Sequence, residues 1–401
     1  MTDPDRSRRR FLAVSLVVLL PLVAGVLLNA ARPTDDEPDA DSLYKYLSVF
    51  SETLNLVRQN YVETTDLGTL LAGAMEGSTD ALDPYSIFLP GSVSTEEEPD
   101  VIPGARHAGL VVLKDRGVAY AAAVVAGSEA EKAGLETGDI LSIVADHPTR
   151  QMPVWAINHE LVSATGKSVE LEIVRNGETR KVSLPMAEQP FPPPTIADAG
   201  GYPMLSLPRI DDAAIAPARS LLGALPPATP EAPAKLIVDL RGVSGGSPDA
   251  AYALAGLFAR GPLGELREKE KSLRTFASDA EPVYQGEIVV LVNGYTAGAA
   301  EIVAAALRQS AGAKLIGTPS FGWAGERSRL ELSSGARLLV TTSFFNAADG
   351  KPLHEALAPD LLVDDLGRRF EEREEPLSQL ILDRALRYLA GETELVEKKA
   401  A

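Results

Sequence analysis

Few residues in this chain are equipped for chemistry. There is no cysteine among 401 residues and only four histidines, His107, His147, His159 and His354, none close to another in sequence. Thiol nucleophiles, disulfides, thiolate zinc sites and iron–sulfur clusters are therefore excluded, as is the zinc-binding pair of histidines four residues apart on a helix. No metal and no cofactor is expected. Hydroxyl, amine and carboxylate chemistry remains. A Ser or Thr hydroxyl becomes a useful nucleophile when a neighbouring base takes its proton, and Lys can be that base once burial lowers its pKa. Thr296 leads into an apolar helical run, Lys314 and Ser320 follow it, and Ser244 stands beside Gly245-Gly246. Asp239 and Arg241 pair an acid with a cation. Each also has a plain structural reading. Lys314 starts a strand at the surface, Ser244 is a turn residue, Asp239–Arg241 is an ion pair closing a strand, and the histidines sit on surfaces or loop edges.

These residues are carried by two kinds of pattern. Leu43, Leu47, Phe50, Leu54 and Val57 recur at helical spacing, and a second helix reads over 67–79, closed by Leu82-Asp83-Pro84-Tyr85-Ser86. Past an acidic loop at 96–100, strands read over 109–112 and 118–125, with a short helix over 127–135 capped by Gly134. A strand opens at Gly138-Asp139-Ile140-Leu141, a helix spans 154–164, and strands at 169–175 and 179–184 flank an Asn176-Gly177 hairpin turn. The stretch Phe191-Pro192-Pro193-Pro194 is a stiff connector, and the short Pro-rich stretch 226–233 a surface loop. Beyond the connector, buried strands at 236–240, 288–292 and 314–317 alternate with helices at 248–259 and 299–309, which argues for an α/β core. A last amphipathic helix covers 377–389, stopped by Gly391. The 45% hydrophobic content suffices for real cores, and the net charge of −18 argues against a nucleic-acid partner.

The N-terminus speaks to location. Arg6, Arg8, Arg9 and Arg10 precede an apolar run over 11–28. At about 1.5 Å per residue that run reaches about 27 Å, just enough to cross a hydrocarbon core. It reads as either a cleaved signal peptide or a membrane anchor, with the basic side in the cytoplasm and the rest of the chain outside it. Ser7-Arg8-Arg9-Arg10-Phe11-Leu12 also resembles a twin-arginine export signal.

The segment 104–184 resembles a PDZ domain, most specifically at Gly134-Leu135 and Gly138-Asp139-Ile140. From about Tyr44 onward the chain resembles the carboxyl-terminal processing, or tail-specific, serine peptidases. The hallmarks come in order: the Leu82 to Ser86 run, the PDZ-like module, Asp239-Leu240-Arg241 with Gly245-Gly246, then Val292-Asn293 through Glu301-Ile302. Gly317, Phe321-Gly322, Ala358-Pro359-Asp360 and the terminal helix follow. The resemblance implies a ClpP/crotonase-like α/β peptidase core with an N-terminal helical region, an inserted PDZ domain and the N-terminal signal or anchor. The expected divisions are 1–31, 32–103, 104–188, 189–365 and 366–401.

The family cuts peptides with a Ser nucleophile and a Lys base. Its Ser-Ala-Ser-Ala-Ser-Glu turn is Thr296-Ala297-Gly298-Ala299-Ala300-Glu301 here, so Gly298 holds the nucleophile position. Its Phe-Gly-Lys-Gly is Phe321-Gly322-Trp323-Ala324, with the family's spacing of twenty-five from 298 to 323 kept, so Trp323 holds the base position. The Gln that positions the base is Arg327. Glycine offers no oxygen, and an indole N–H donates but cannot accept a proton. Thr296, two residues early, would point elsewhere. The backbone amides of Gly245 and Ala299 stand where the oxyanion hole is expected.

The resemblance with these replacements implies an envelope-located, non-hydrolytic peptide-binding or regulatory homologue. The alternative is an active serine-type endopeptidase cleaving proteins near their C-termini. A third reading is a decayed copy with a structural role in a hetero-oligomer, where an active paralogue supplies the Ser–Lys pair; self-association into a homo-oligomer is a separate candidate partnership. The implied partners are C-terminal tails, added as a strand in the PDZ groove. The groove would be formed by Ala108, Gly109 and Leu110, preceded by Arg106 and His107, with Val154, Ile157, Leu161 and Val162 on the helix side. For all four helix residues packing of the module's own core is the alternative, and for Leu161 it is the preferred one. The membrane is the partner of the N-terminal segment. A reporter that works only outside the cytoplasm, fused after Ala401, is expected to be active; a well-expressed but silent fusion contradicts this topology.

Overall fold

The computed structural model describes residues 40–83, 85–93, 108–115, 117–124, 127–164, 166–186, 192–227, 234–244, 246–363 and 377–392. The apolar run 11–28, Arg106, His107, Gly245 and most of the Pro-rich stretch 226–233 lie outside the described residues. Among the described residues no helix is long and apolar enough to cross a membrane.

The chain divides into two compact units, Met1–Gly73 and Ala74–Ala401. The first contains helix α1 (Ala40–Asn60), whose Phe50, Leu54 and Val57 are half-buried, and the start of α2 (Leu67–Asp80). Asp66 caps α2 by accepting the Thr69 N–H at 2.8 Å.

The second unit is built on three sheets. The central one runs β17 (Leu361–Leu362), β14 (Lys314–Gly317), β13 (Glu287–Val292), β10 (Lys235–Asp239), β9 (Tyr202–Ser206) and β8 (Thr195–Ala199). Its strands pair in parallel except at β8. Parallel strands need both faces covered, which is why β10 and β13 are continuous apolar runs. Leu236, Val238, Ile288, Val290 and Val292 pack in the core that holds α5 (Asp212–Gly223), α6 (Pro248–Ala255) and α7 (Ala299–Ser310). Ile237, Val289 and Leu291 face α8 (Leu377–Leu389), which buries Ile381, Ala385 and Leu389 on them.

The second sheet is antiparallel, in the order β1 (Ile87–Leu89), β16 (Arg337–Ala347), β11 (Gly261–Glu268) and β12 (Lys271–Ser278), with β15 (Gly325–Glu331) also on β16. The sequence patterns above did not anticipate this sheet. Strand β12 carries exposed Lys271, Ser272, Leu273 and Arg274 in a row, so it lacks the alternation that marks a half-buried strand. Five of the eleven residues of β16 are Val, Thr or Phe, and that signal was available.

The third sheet forms a separate module: β2 (Leu110–Asp115), β3 (Val118–Val124), β4 (Ile140–Val144), β6 (Ser168–Arg175) and β7 (Glu178–Pro185), with β5 (His147–Pro148) beside β4. A one-turn helix α3 (Glu129–Lys132) and helix α4 (Val154–Ser163) complete it. Asn176 and Gly177, both at positive φ, make the turn between β6 and β7. Arg175 reaches across to Asp139 at 2.6 Å and ties the hairpin to the Gly138-Asp139 turn.

Gly317, at the end of β14, has φ +145, and a Cβ built there would meet the Val292 carbonyl oxygen at 1.9 Å. Gly317→Ala is expected to lower stability by about 3 kcal/mol or more, because rigid backbone cannot yield as a side chain does. A denaturation midpoint unchanged from the parent contradicts this.

Candidate active site

The site is assembled where β13 turns into α7. The turn is fixed to the end of β10 by side chains. Asn293 Oδ1 accepts from the Gly242 N–H at 3.0 Å and the Tyr295 N–H at 3.2 Å. Thr296 Oγ1 donates to the Leu240 carbonyl at 2.8 Å and accepts from the Asn293 N–H at 3.0 Å. The Ala297 N–H donates to Val243 O at 3.0 Å. The chain then passes through Gly298 at φ 59, ψ −118 before α7 begins at Ala299. A residue with a side chain is strained at such a φ; glycine is not. The strand therefore turns sharply into the helix at Gly298, a residue with no side chain to present.

The facing wall is the loop after β14. Glu301, in the first turn of α7 and 0% exposed, holds that loop. Its Oε1 accepts from Ser320 Oγ at 2.5 Å and the Gly322 N–H at 2.7 Å. Its Oε2 accepts from the Trp323 N–H at 2.8 Å and the Gly298 N–H at 3.0 Å. The Gly298 N–H is shared with the Trp323 carbonyl at 2.9 Å. Positions 298 and 323 are thus clamped together by one carboxylate. Burial pushes the Glu301 carboxyl up to about 7, although all four donors favour its charged form.

Trp323 occupies the wall between this loop and its neighbours. It is 4% exposed and clusters with Tyr85, Val111, Leu113 and Ala122, the last three from the outer face of β2 and β3. The Tyr85 ring stacks on the indole at 3.7 Å between centroids and 27° between planes, with Phe321 edge-on to Tyr85 at 5.7 Å. Among the described residues neither Trp323 Nε1 nor Tyr85 Oη has a hydrogen-bond partner. Tyr85 is positioned by Asp83, whose Oδ1 accepts the Tyr85 and Ser86 N–H groups at 2.8 and 2.6 Å. Arg327, on β15, donates from Nη1 to Tyr85 O at 3.0 Å. Arg327 therefore supports the tyrosine that covers Trp323.

The remaining candidates take structural roles. Thr296 is 0% exposed with its hydroxyl engaged by backbone, and Ser320 is committed to Glu301 and to the Leu357 N–H at 2.8 Å. Ser244 is buried, and Lys314 is exposed at the start of β14. Asp239 and Arg241 pair at 2.6 Å, and Arg241 Nη1 also donates to Ser378 O on α8, so they close β10 against that helix. His147 and His354 are exposed and His159 is half-buried; no group of acidic and histidine side chains among the described residues could hold a metal. Ala299 supplies the first amide of α7, while Gly245 lies outside the described residues. In the module, Ala108, Leu110, Ile157 and Leu161 sit in its own core, Gly109 has φ 77, and Val154 is half-buried.

Peptidase family S41 matches residues 219–363. Residues 219–363 therefore form a peptidase S41-like domain, and the chain is similar to carboxyl-terminal processing proteases. It is 27% identical to the carboxy-terminal processing protease CtpA of Bacillus subtilis (strain 168), over 75% of this chain and 65% of that protein, so it spans just under two thirds of that relative's length. It is 23% identical to the carboxy-terminal-processing protease of Bartonella bacilliformis over 85% of this chain and 81% of that one. Among solved structures, the photosystem II D1 C-terminal processing protease shares the fold, with a TM-score of 0.62 at 21% identity over 86% of this chain and 92% of that one.

Sequence reasoning passed over Glu301 and Tyr85. A lone carboxylate inside the all-apolar run 299–307 was the available signal, since such a group is buried only when well partnered. Because the folded-state pKa of Glu301 lies near 7, against 4.5 for a free glutamate, the folded protein holds the extra proton between those values. The sign is then fixed: this group's contribution to stability falls as pH rises from about 4.5 through 7, by about 3 kcal/mol. The stability advantage of the parent over Glu301→Gln is expected to shrink between pH 5 and pH 8 in denaturant titrations. An advantage that grows over that interval contradicts the assignment.

Proposed function

We propose that this chain is a non-hydrolytic member of the carboxyl-terminal processing family, an envelope protein that holds polypeptide tails without cutting them. The observation that carries this reading is the clamp at Glu301. It keeps the nucleophile turn and the base loop in register while presenting Gly298 and Trp323. Hydrolysis needs an oxygen nucleophile and a group to take its proton, and neither position offers one. The nearest hydroxyls, on Thr296 and Ser320, are already spent on Leu240 O and Glu301.

Binding is assigned to the module, read as a PDZ domain. Its strand β2 pairs only with β3 among the described strands, and α4 lies against β2. An edge strand beside a helix is the arrangement that captures an extended peptide by strand addition. The location outside the cytoplasm and the membrane attachment rest on the basic-then-apolar N-terminus and belong to this proposal.

The full-length chain in detergent is expected to release no fluorescent product from quenched peptides ending in free apolar carboxyl termini, above the level of a heat-denatured control. Gly298→Ser alone should also be silent, because no base is present to activate the new hydroxyl. Clear turnover by the unmodified chain that is lost in Thr296→Ala would overturn the reading and make Thr296 the nucleophile.

A further inference from the structure

The side-chain amide of Asn158 is buried without a partner. Asn158 is 1% exposed, and among the described residues neither its Nδ2 nor its Oδ1 makes a hydrogen bond. A buried amide carries two donors and an acceptor, and leaving all of them idle is uncommon enough to require an explanation.

Its position on α4 suggests one. Ile157 and Leu161 enter the module's core, while Trp155 packs against Ile87, Leu89 and Leu339 of the β1–β16 sheet. Helix residues follow one another at about 100°, so Asn158 lies on the stripe between those two faces, in line with Val154 and Val162. That stripe borders the seam where α4, β2 and the β1–β16 sheet come together. One edge of β2 at this seam has no strand on it among the described residues. An unpaired amide on the helix that lies against an unpaired strand edge is what an extended chain would satisfy.

We infer that this seam receives an extended peptide and that Asn158 selects among peptides by hydrogen-bonding a neutral polar side chain. The inference rests on the peptide-binding reading above and adds the residue that reads the ligand and the chemistry it prefers. A strand added along β2 turns alternate side chains toward α4, so one of them meets Asn158. An amide offers a donor and an acceptor together, which suits Ser, Thr, Asn or Gln and leaves an apolar residue facing an unpaired group. Discrimination follows because a polar pocket rejects the analogue lacking the hydrogen bond far more strongly than an apolar pocket rejects a methylene.

The test measures binding of peptides with a fixed free C-terminal leucine to the full-length chain in detergent. Isosteric pairs, Thr against Val and Gln against Met, are placed second, third or fourth from the end. At one of these positions the polar member is expected to bind at least about tenfold tighter. Asn158→Leu should abolish that preference while apolar members still bind, and Asn158→Ala, measured alongside, covers the case in which leucine does not fit. A merely structural Asn158 would shift the melting temperature and leave the preference untouched. Peptides that bind without discrimination at any position, or a preference that survives both substitutions, overturn the role of Asn158. Absence of binding by every peptide overturns the peptide-binding reading itself, and this inference with it.

Discussion

One buried carboxylate sets the geometry on which the rest of the cleft depends. Glu301 enters the protein interior from the first turn of α7 and takes four donors from two separated segments. A charge, or even a neutral acid, is placed there only at considerable cost, and convergent donors offset it. Because those donors are mostly backbone N–H groups, the arrangement depends on chain path and is indifferent to which side chains stand at 298 and 323. The capping of α7 and the placing of the 320–323 loop are one interaction.

The replaced positions form a second structure of their own. With glycine at 298 the strained turn costs little, and with an indole at 323 the wall becomes apolar. Trp323 stacks on Tyr85, and Tyr85 is held by Asp83 and Arg327. The outer faces of β2 and β3 close over this pair through Val111, Leu113 and Ala122. Removing so large a buried ring would cost about 3–5 kcal/mol, and a stacked aromatic pair adds about 0.5–1.5 kcal/mol beyond its burial. A lysine at 323 would have to bury its ammonium among these apolar side chains. The indole at 323 thus makes a packing contact between the module and the core.

Much of this was legible in the sequence, for identifiable reasons. The parallel strands at 235–239, 287–292 and 314–317 announce themselves because both faces are buried, giving unbroken apolar runs. The Asn176-Gly177 turn and the two glycine-bounded elements around Gly134 and Gly138 follow from φ requirements that only a few residues meet. The register from 298 to 323 was readable because spacing survives substitution. What sequence could not give was the antiparallel sheet, where β12 is largely exposed and lacks alternation. Nor could it give the partners of Glu301, three of which are backbone groups that leave no trace in residue identity. Ala108, Leu110 and Ile157, read as groove residues, lie in the module's core, and the polar residue beside them, Asn158, drew no attention. Single-sequence patterns show which positions are apolar, not which polar group is left without a partner.

The central claim is that this cleft keeps its frame and has lost every activated hydroxyl. A fluorophosphonate tests it without knowledge of any substrate, since it phosphonylates a serine or threonine only where a base and an oxyanion hole activate the oxygen. The full-length chain, incubated with such a reagent at neutral pH and weighed intact by mass spectrometry, is predicted to keep its mass. A stoichiometric adduct mapping to Thr296, Ser244 or Ser320 would contradict the account.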